Sequence, residues 1–414
     1  MQVFLTIALL TACLLQGTTP ASAFFFERRP RPEAKMSYFI YPVSGQIPGV
    51  AKFSGIGVSA AQLFGTEADL SVFKVSGNAE HYQGSYQAEL VTAFDIPLLT
   101  NHLNLSFADL NVKNGAWPEG ERGMRSNPDS FYYLLGEQFK TSGADLSLQF
   151  FDYQLEAYYG YANSEVVPFG LIDPQGTLYS AENSRIIKEP RGHRVGIYLD
   201  DTDHRRDPRI GYRVQIERWT MPQTREENAS YYQNDYNLSF YVPNQGHDQV
   251  VVINGFLSTS TVIDQGKVQR KGYQCPPDIP QCQTSIDELY RRQRDNAEKG
   301  KSTSLGGTMR LRGYPTNRFY DAYSAFWGIE LRNYWLEQQK SFNYLIEKGI
   351  FTSLQTAVFY EEGTVAPNQA DLWKDRRNSF GVGLRLIFQN VIGRADLGHS
   401  DEGSELSLFV GYPF

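Results

Sequence analysis

From about residue 50 to the end, apolar side chains recur at every second position, the pattern of strands whose two faces meet different surroundings. In 236–242 the apolar set takes alternate places. Residues 323–335 put Trp327, Ile329, Leu331 and Trp335 on one face and Ser324, Gly328, Glu330 and Arg332 on the other. In 380–388, Phe380, Val382, Leu384, Leu386 and Phe388 stand opposite Gly381, Gly383 and Arg385. A soluble sandwich also alternates, but repeated Arg and Glu on its inner face would be costly. A barrel with a wet lumen accepts them. Strands are expected near 54–64, 68–77, 85–95, 103–113, 131–140, 145–152, 154–162, 193–200, 212–220, 231–242, 249–260, 323–335, 350–361, 379–389, 391–397 and 404–414. That makes about sixteen, with 114–130 and 163–192 as loops and 261–322 as a long sixth external loop. The fold class is thus all-β, a transmembrane antiparallel barrel.

Composition sharpens this. The 414 residues carry a net charge of -7 and a mean hydropathy of -0.42, which argues against helical membrane spans and against a nucleic-acid partner. Yet there are 26 Tyr and 26 Phe, a density suited to lipid-facing strands and aromatic girdles. Residues 1–23 lack charge, hold one apolar run and end in Ala21-Ser22-Ala23, the marks of a cleaved signal peptide. A lipobox at Cys13 is the rival, and either reading implies export. Export leaves Cys275 and Cys282 flanking a Pro-rich hexapeptide, read as a local disulfide rather than a metal site. At the far end, Leu406, Leu408, Val410, Tyr412 and Phe414 form one stripe. It looks like the C-terminal assembly signal of bacterial outer-membrane barrels, with Tyr412 and Phe414 in an interfacial girdle.

Three segments then carry a family resemblance. LGGTMRLRGYPTNRFYDAYSAFWGIELRNYW (305–335) resembles the signature of the BamA/TamA, or bacterial surface antigen, family. LDDTDHRRDPRIGYRVQIE (199–217) is similar to that family's acidic strand–turn–strand, and AVFYEEGTV (357–365) to a later strand, with Glu361 in place of the usual Asp. The resemblance covers 190–414 well and the rest weakly. It implies a sixteen-stranded barrel whose sixth loop folds into the lumen. There Arg312, in the run Leu311-Arg312-Gly313-Tyr314, would clasp Glu330 and Glu361, with Gly306, Gly307 and Gly313 freeing the tip. It also implies protein or lipoprotein translocation or insertion at the outer membrane, with membrane lipids, lipopolysaccharide, the barrel assembly machinery and a secreted client as partners. Residues 24–50 are too short for one periplasmic POTRA unit and are expected to be a tail before a barrel at 51–414. A separate periplasmic partner would then do the docking, and a passive solute channel or structural barrel is the competing function.

Within loop six, Ser285-x-x-Glu288 reads as a capping box opening a helix to about Lys299, with Arg291, Arg292 and Arg294 on a solvated face or facing lipopolysaccharide phosphates. Asp200, Asp201, Asp203 and His204 are the one cluster that could suggest a protease or a metal, but they coincide with the family's turn. No enzyme activity, cofactor or metal is expected.

Overall fold

The computed structural model describes residues 36–414 apart from 80–83, 99–101, 181–186, 189–191, 224–225, 227–228, 245–247, 269–274, 276–280, 338–341, 345–346, 351 and 389–390. The signal segment 1–23 and the arginines at 28, 29 and 31 lie outside the described residues.

Sixteen antiparallel strands close into one barrel. In chain order they are β1 (Ser37–Ile47), β2 (Ala51–Ala61), β3 (Asp69–Ala79), β4 (Ser85–Pro97), β5 (Leu103–Glu119), β6 (Tyr132–Phe150), β7 (Leu155–Ile172) and β8 (Gly192–Thr202). β9 (Gly211–Met221), β10 (Ser230–Asn244), β11 (Gln249–Asp264), β12 (Tyr323–Glu337), β13 (Thr352–Ala366), β14 (Arg377–Phe388), β15 (Val391–Ser400) and β16 (Gly403–Val410) complete it. β1 begins and β16 ends at the same rim, called here the turn end; the opposite rim, which carries loop six, is the loop end. No helix among the described residues is long and apolar enough to cross a membrane.

The count of sixteen agrees with expectation, but through two compensating corrections. The supposed tail 24–50 contains β1, which pairs with β2 from Ser37↔Ala61 to Ile47↔Ala51. And 131–140 with 145–152 are one strand, β6, in which Ser142 and Gly143 pair in the ladders to β5 and β7. The true turn comes later, where Phe151, Asp152 and Tyr153 take positive φ. β5 and β7 also run on to Glu119 and Ile172, into stretches expected to be loops.

Strand length divides the barrel. β5, β6 and β7 hold 17, 19 and 18 residues; β14, β15 and β16 hold 12, 10 and 8. A strand of β6's length runs roughly 60 Å along its axis, far beyond an apolar band of roughly 25 Å. The wall β5–β7 therefore stands clear of that band at the loop end.

Helix α1 (Gln281–Lys299) lies over this tall wall. Ile286 and Leu289 bury against Tyr132, Leu171 and Tyr179, while Arg122 bonds Asn296, the Gly300 carbonyl and Asp321. The helix starts four residues before the expected capping box, so Ser285 and Glu288 are interior. Ser285 reaches Asp173 at 3.4 Å, and Glu288 accepts from Arg291 and Arg292. Arg291 and Arg294 face solvent as expected. Arg292 does not: it is 3% exposed and donates to the Ser130 carbonyl at 2.8 Å and to Glu121 at 3.2 Å, pinning the helix to the β5–β6 loop. Cys275 and Cys282 form a disulfide, Cα–Cα 5.6 Å, just before and within the first turn of α1.

Candidate functional site: the occupied lumen and the seam

Strand alternation delivers an ionic inner wall on β12–β15. Glu330 and Arg332 on β12, Glu361 on β13, Arg385 on β14, and Arg394 and Asp396 on β15 all point inward and are buried. Outward, Trp327, Ile329, Val358, Val382 and Leu384 are exposed, as a lipid-facing belt requires.

The tip of loop six enters this wall. Arg312 donates from its backbone N–H and from Nε to the two oxygens of Glu361, both at 2.7 Å. Its Nη1 reaches Glu330 and Asp396, both at 2.9 Å, and its guanidinium stacks over Phe359 at 3.5 Å. Arg385 and Arg332 bind Glu330 from the other side at 3.0 and 2.8 Å. Burial of so many charges is tolerable only because each is matched by opposite charge in fixed geometry.

Glycines let the tip come this close. Gly306 and Gly307 turn with φ of 102° and 105°, a region open to glycine. Gly313 serves differently: a β-carbon there would lie 2.8 Å from the His399 carbonyl, so it permits backbone-to-backbone contact with β15. Tyr314 is buried and donates to Asp401 at 2.5 Å. Arg318 completes the anchorage with two 2.7 Å bonds to Glu402.

The structure thus brings Arg312, Gly313, Tyr314, Glu330 and Glu361 together around one tip. Asp396, Arg385, Arg394 and Arg318 belong to the same assembly but were not singled out from sequence. Arg385 was within reach, because alternation in 380–388 already set it opposite the apolar face; Arg394 and Asp396 are placed by the register of β15 on β14. Arg318, in an irregular loop, carried no such signal.

The turn end is closed by the segment between β8 and β9. Asp203 accepts from the Arg209 and Ile210 amides, and the His204 ring nitrogen accepts from the amides of Arg206 and Asp207. Asp200 pairs with Arg213 at 3.2 Å. These side chains shape the turn, and no group of three or more metal-ligating residues occurs among the described residues.

The C-terminal stripe needs correction. Leu406 and Val410 are exposed on the outer face as expected, with Leu408 half-buried beside the seam. Tyr412 and Phe414 instead leave the strand, which ends at Val410, and turn into the lumen. Tyr412 donates to Asp207 at 2.7 Å and lies under Arg332 at 4.0 Å; Phe414 packs near Phe326. Gly411, with φ of 98°, makes the turn, and Pro413 has no N–H with which to extend the ladder. An inward Tyr gains a carboxylate partner that a girdle position would not supply.

The barrel closes at a weak seam. Among the described residues β1 and β16 share one ladder pair, Gln46↔Leu408, where eight join β15 to β16 and eleven join β1 to β2. Lower on β1, Tyr38 pairs instead with Lys348, in the turn-end hairpin between β12 and β13. Pro42 sits mid-strand in β1, a position suited to an edge.

No protein-family profile matches the chain, and no curated protein is similar to it. Solved structures are. CdiB from Escherichia coli superposes with a TM-score of 0.52 at 11% identity, over 92% of this chain and 63% of that one. The fold is a sixteen-stranded barrel of that kind. CdiB from Acinetobacter baumannii gives a TM-score of 0.49 at 12% identity, over 90% of this chain and 60% of that one. BamA from Haemophilus ducreyi, lacking POTRA domains 1–3, gives 0.48 at 15% identity, over 91% and 69%.

Proposed function

We propose that this protein is an outer-membrane transport barrel that passes or inserts polypeptide segments through its β1–β16 seam. On this reading the turn end faces the periplasm and the loop end faces outward. The sparse closure, with Gln46↔Leu408 as its one ladder pair among the described residues, carries the proposal, since a passive channel gains nothing from a weakly paired seam. Two further features support it: the motif Leu311–Tyr314, which resembles that of the surface antigen family, seated on Glu330 and Glu361, and the barrel's likeness to CdiB. Loop six props the lumen open while the seam works. Membrane lipids, the assembly machinery and a secreted or inserted client are the partners, and no catalytic step is assigned. Cysteines at Gln46 and Leu408, oxidised in cells, test it, with envelope protein export and solute uptake followed separately. Export should fall while uptake holds. Unchanged export, with uptake responding to loop-six substitutions, would favour a channel instead.

A further inference from the structure

The wall opposite the ionic cluster reverses the usual order of faces. Toward the loop end of β2–β6 the outer face is polar: Lys52, Lys74, Glu89, Lys113 and Lys140 are exposed there. Lys74 and Glu89 pair across β3 and β4 at 2.7 Å with side chains 73% and 55% exposed, so this surface belongs in water. At the same heights the inner face is apolar. Phe73 and Val75 on β3, Leu90 on β4, and Leu110 and Val112 on β5 line a chamber of about 1650 Å³. Leu110 is 36% exposed to that chamber, an arrangement unfavourable if only water fills it.

The wall is also kept flat. Phe53 lies over Gly45 so closely that a β-carbon there would sit 2.0 Å from its ring, and Tyr41 covers Gly57 at 2.7 Å. Aromatic rings pressed on glycines leave room in the middle. The chamber exceeds the roughly 300–1,000 Å³ of ordinary small-molecule pockets.

Two observations identify what fits. First, every charged side chain on the lining is already paired: Asp69 with Arg206, Asp95 and Glu156 with Arg205, Asp145 with Arg194, Arg213 with Asp200, and Arg394 with Asp396. The chamber offers apolar surface and no unmatched charge, so the buried part of its ligand is neutral and apolar. Second, the chamber does not stop at the lumen. Its lining passes between β1 and β16 to include Leu384 and Leu386, which are 48% and 41% exposed on the lipid-facing side of β14. The apolar matter lying against those residues is the bilayer.

We infer that this chamber holds acyl chains of bilayer phospholipid, which enter sideways through the β1–β16 seam. The lipid headgroup stays at the seam while its chains lie along β2–β5. The inference rests on the membrane setting proposed above but not on polypeptide transport.

The probe is a phosphatidylcholine with a diazirine near the end of one acyl chain, in bilayers containing the full chain. After photolysis, adducts are mapped by peptide mass spectrometry. Adducts on the outer residues Val72 and Leu146 report the membrane setting; their loss would count against that reading alone. Adducts on Phe73, Leu90 and Leu110 report the chamber. These inner adducts should fall about tenfold in Leu110→Glu, which puts a carboxyl in the apolar lining, while the outer ones hold. Should that variant not fold, Leu110→Trp, which fills the space, should lower them in the same selective way. A protein locked by Gln46→Cys and Leu408→Cys, oxidised in detergent before transfer to bilayers, should lose the inner adducts. Inner residues left unlabelled, or labelled equally with the seam locked, would overturn the inference.

Discussion

The two walls of this barrel solve the same closure problem with opposite chemistry. β12–β15 are apolar outside and ionic inside, and loop six is bolted to them through Arg312. β2–β6 are polar outside near the loop end and apolar inside, and they face an open chamber. One wall is filled by a segment of its own chain, and the other is left open beside the weakest ladder of the sheet. The difference sets an ionic wall held by the chain's own loop against an open apolar wall, with the sparsely paired seam between them.

The largest test of that contrast is Arg312→Ala. It leaves Glu330, Glu361 and Asp396 converging without their shared cation, and breaking a buried pair of this kind costs about 3–5 kcal/mol. Thermal unfolding on semi-native gels should shift sharply downward, and loop six should become protease-sensitive. Arg312→Lys should recover only part of this, because an ammonium cannot span the three carboxylates as the planar fork does. The matching change on the other wall, Lys74→Ala with Glu89→Ala, should leave the unfolding temperature unchanged, because that pair is solvated. Equal effects at the two sites would remove the distinction between the walls.

A smaller effect is expected at the loop end. Replacing Cys275 and Cys282 by Ser opens a ring with a sequence separation of 7. Its entropic contribution is on the order of 2 kcal/mol and falls on the loop. Proteolysis before α1 should speed up while barrel unfolding stays put.

The smallest effect is on pH. Hydrogen bonding from Arg291, opposed by burial and aided by Arg292, holds the Glu288 carboxyl below its ordinary value. A carboxyl lowered in the folded state stabilises it fully above the unfolded value, about 4.3. That contribution disappears as pH falls through the lowered value. Protection of the α1 amides from hydrogen exchange, referred to the intrinsic rate at each pH, should therefore fall below about pH 4, and Glu288→Gln should abolish the dependence.

The contrast between the walls also explains what could be read from sequence. In β12–β14 the outer belt is unbroken, so period two alone fixed the strands and faced Glu330, Arg332 and Arg385 inward. In β2–β6 the apolar set stays outside only near the turn end, at Ile56, Val58, Leu70 and Val72. Toward the loop end it passes to the inner face, so the belt cannot be followed along the strand and the boundaries drifted. β1 was missed because Pro42 and Gly45 look like loop, whereas an edge strand beside a seam tolerates one and needs the other beneath Phe53. Tyr412 and Phe414 kept the stripe's phase in sequence, but their partners Asp207 and Phe326 are distant in the chain, so only the folded barrel could turn them inward.

The central claim is that the β1–β16 closure is the weak side of an otherwise firmly laddered barrel. Backbone hydrogen exchange on the protein in lipid bilayers, resolved by peptide, measures this directly. The amides of Ser37–Ile47 and Gly403–Val410 should exchange much faster than those of Tyr323–Glu337 and Thr352–Ala366, with β2–β6 protected. Uniformly slow exchange around the whole barrel, seam included, would contradict it.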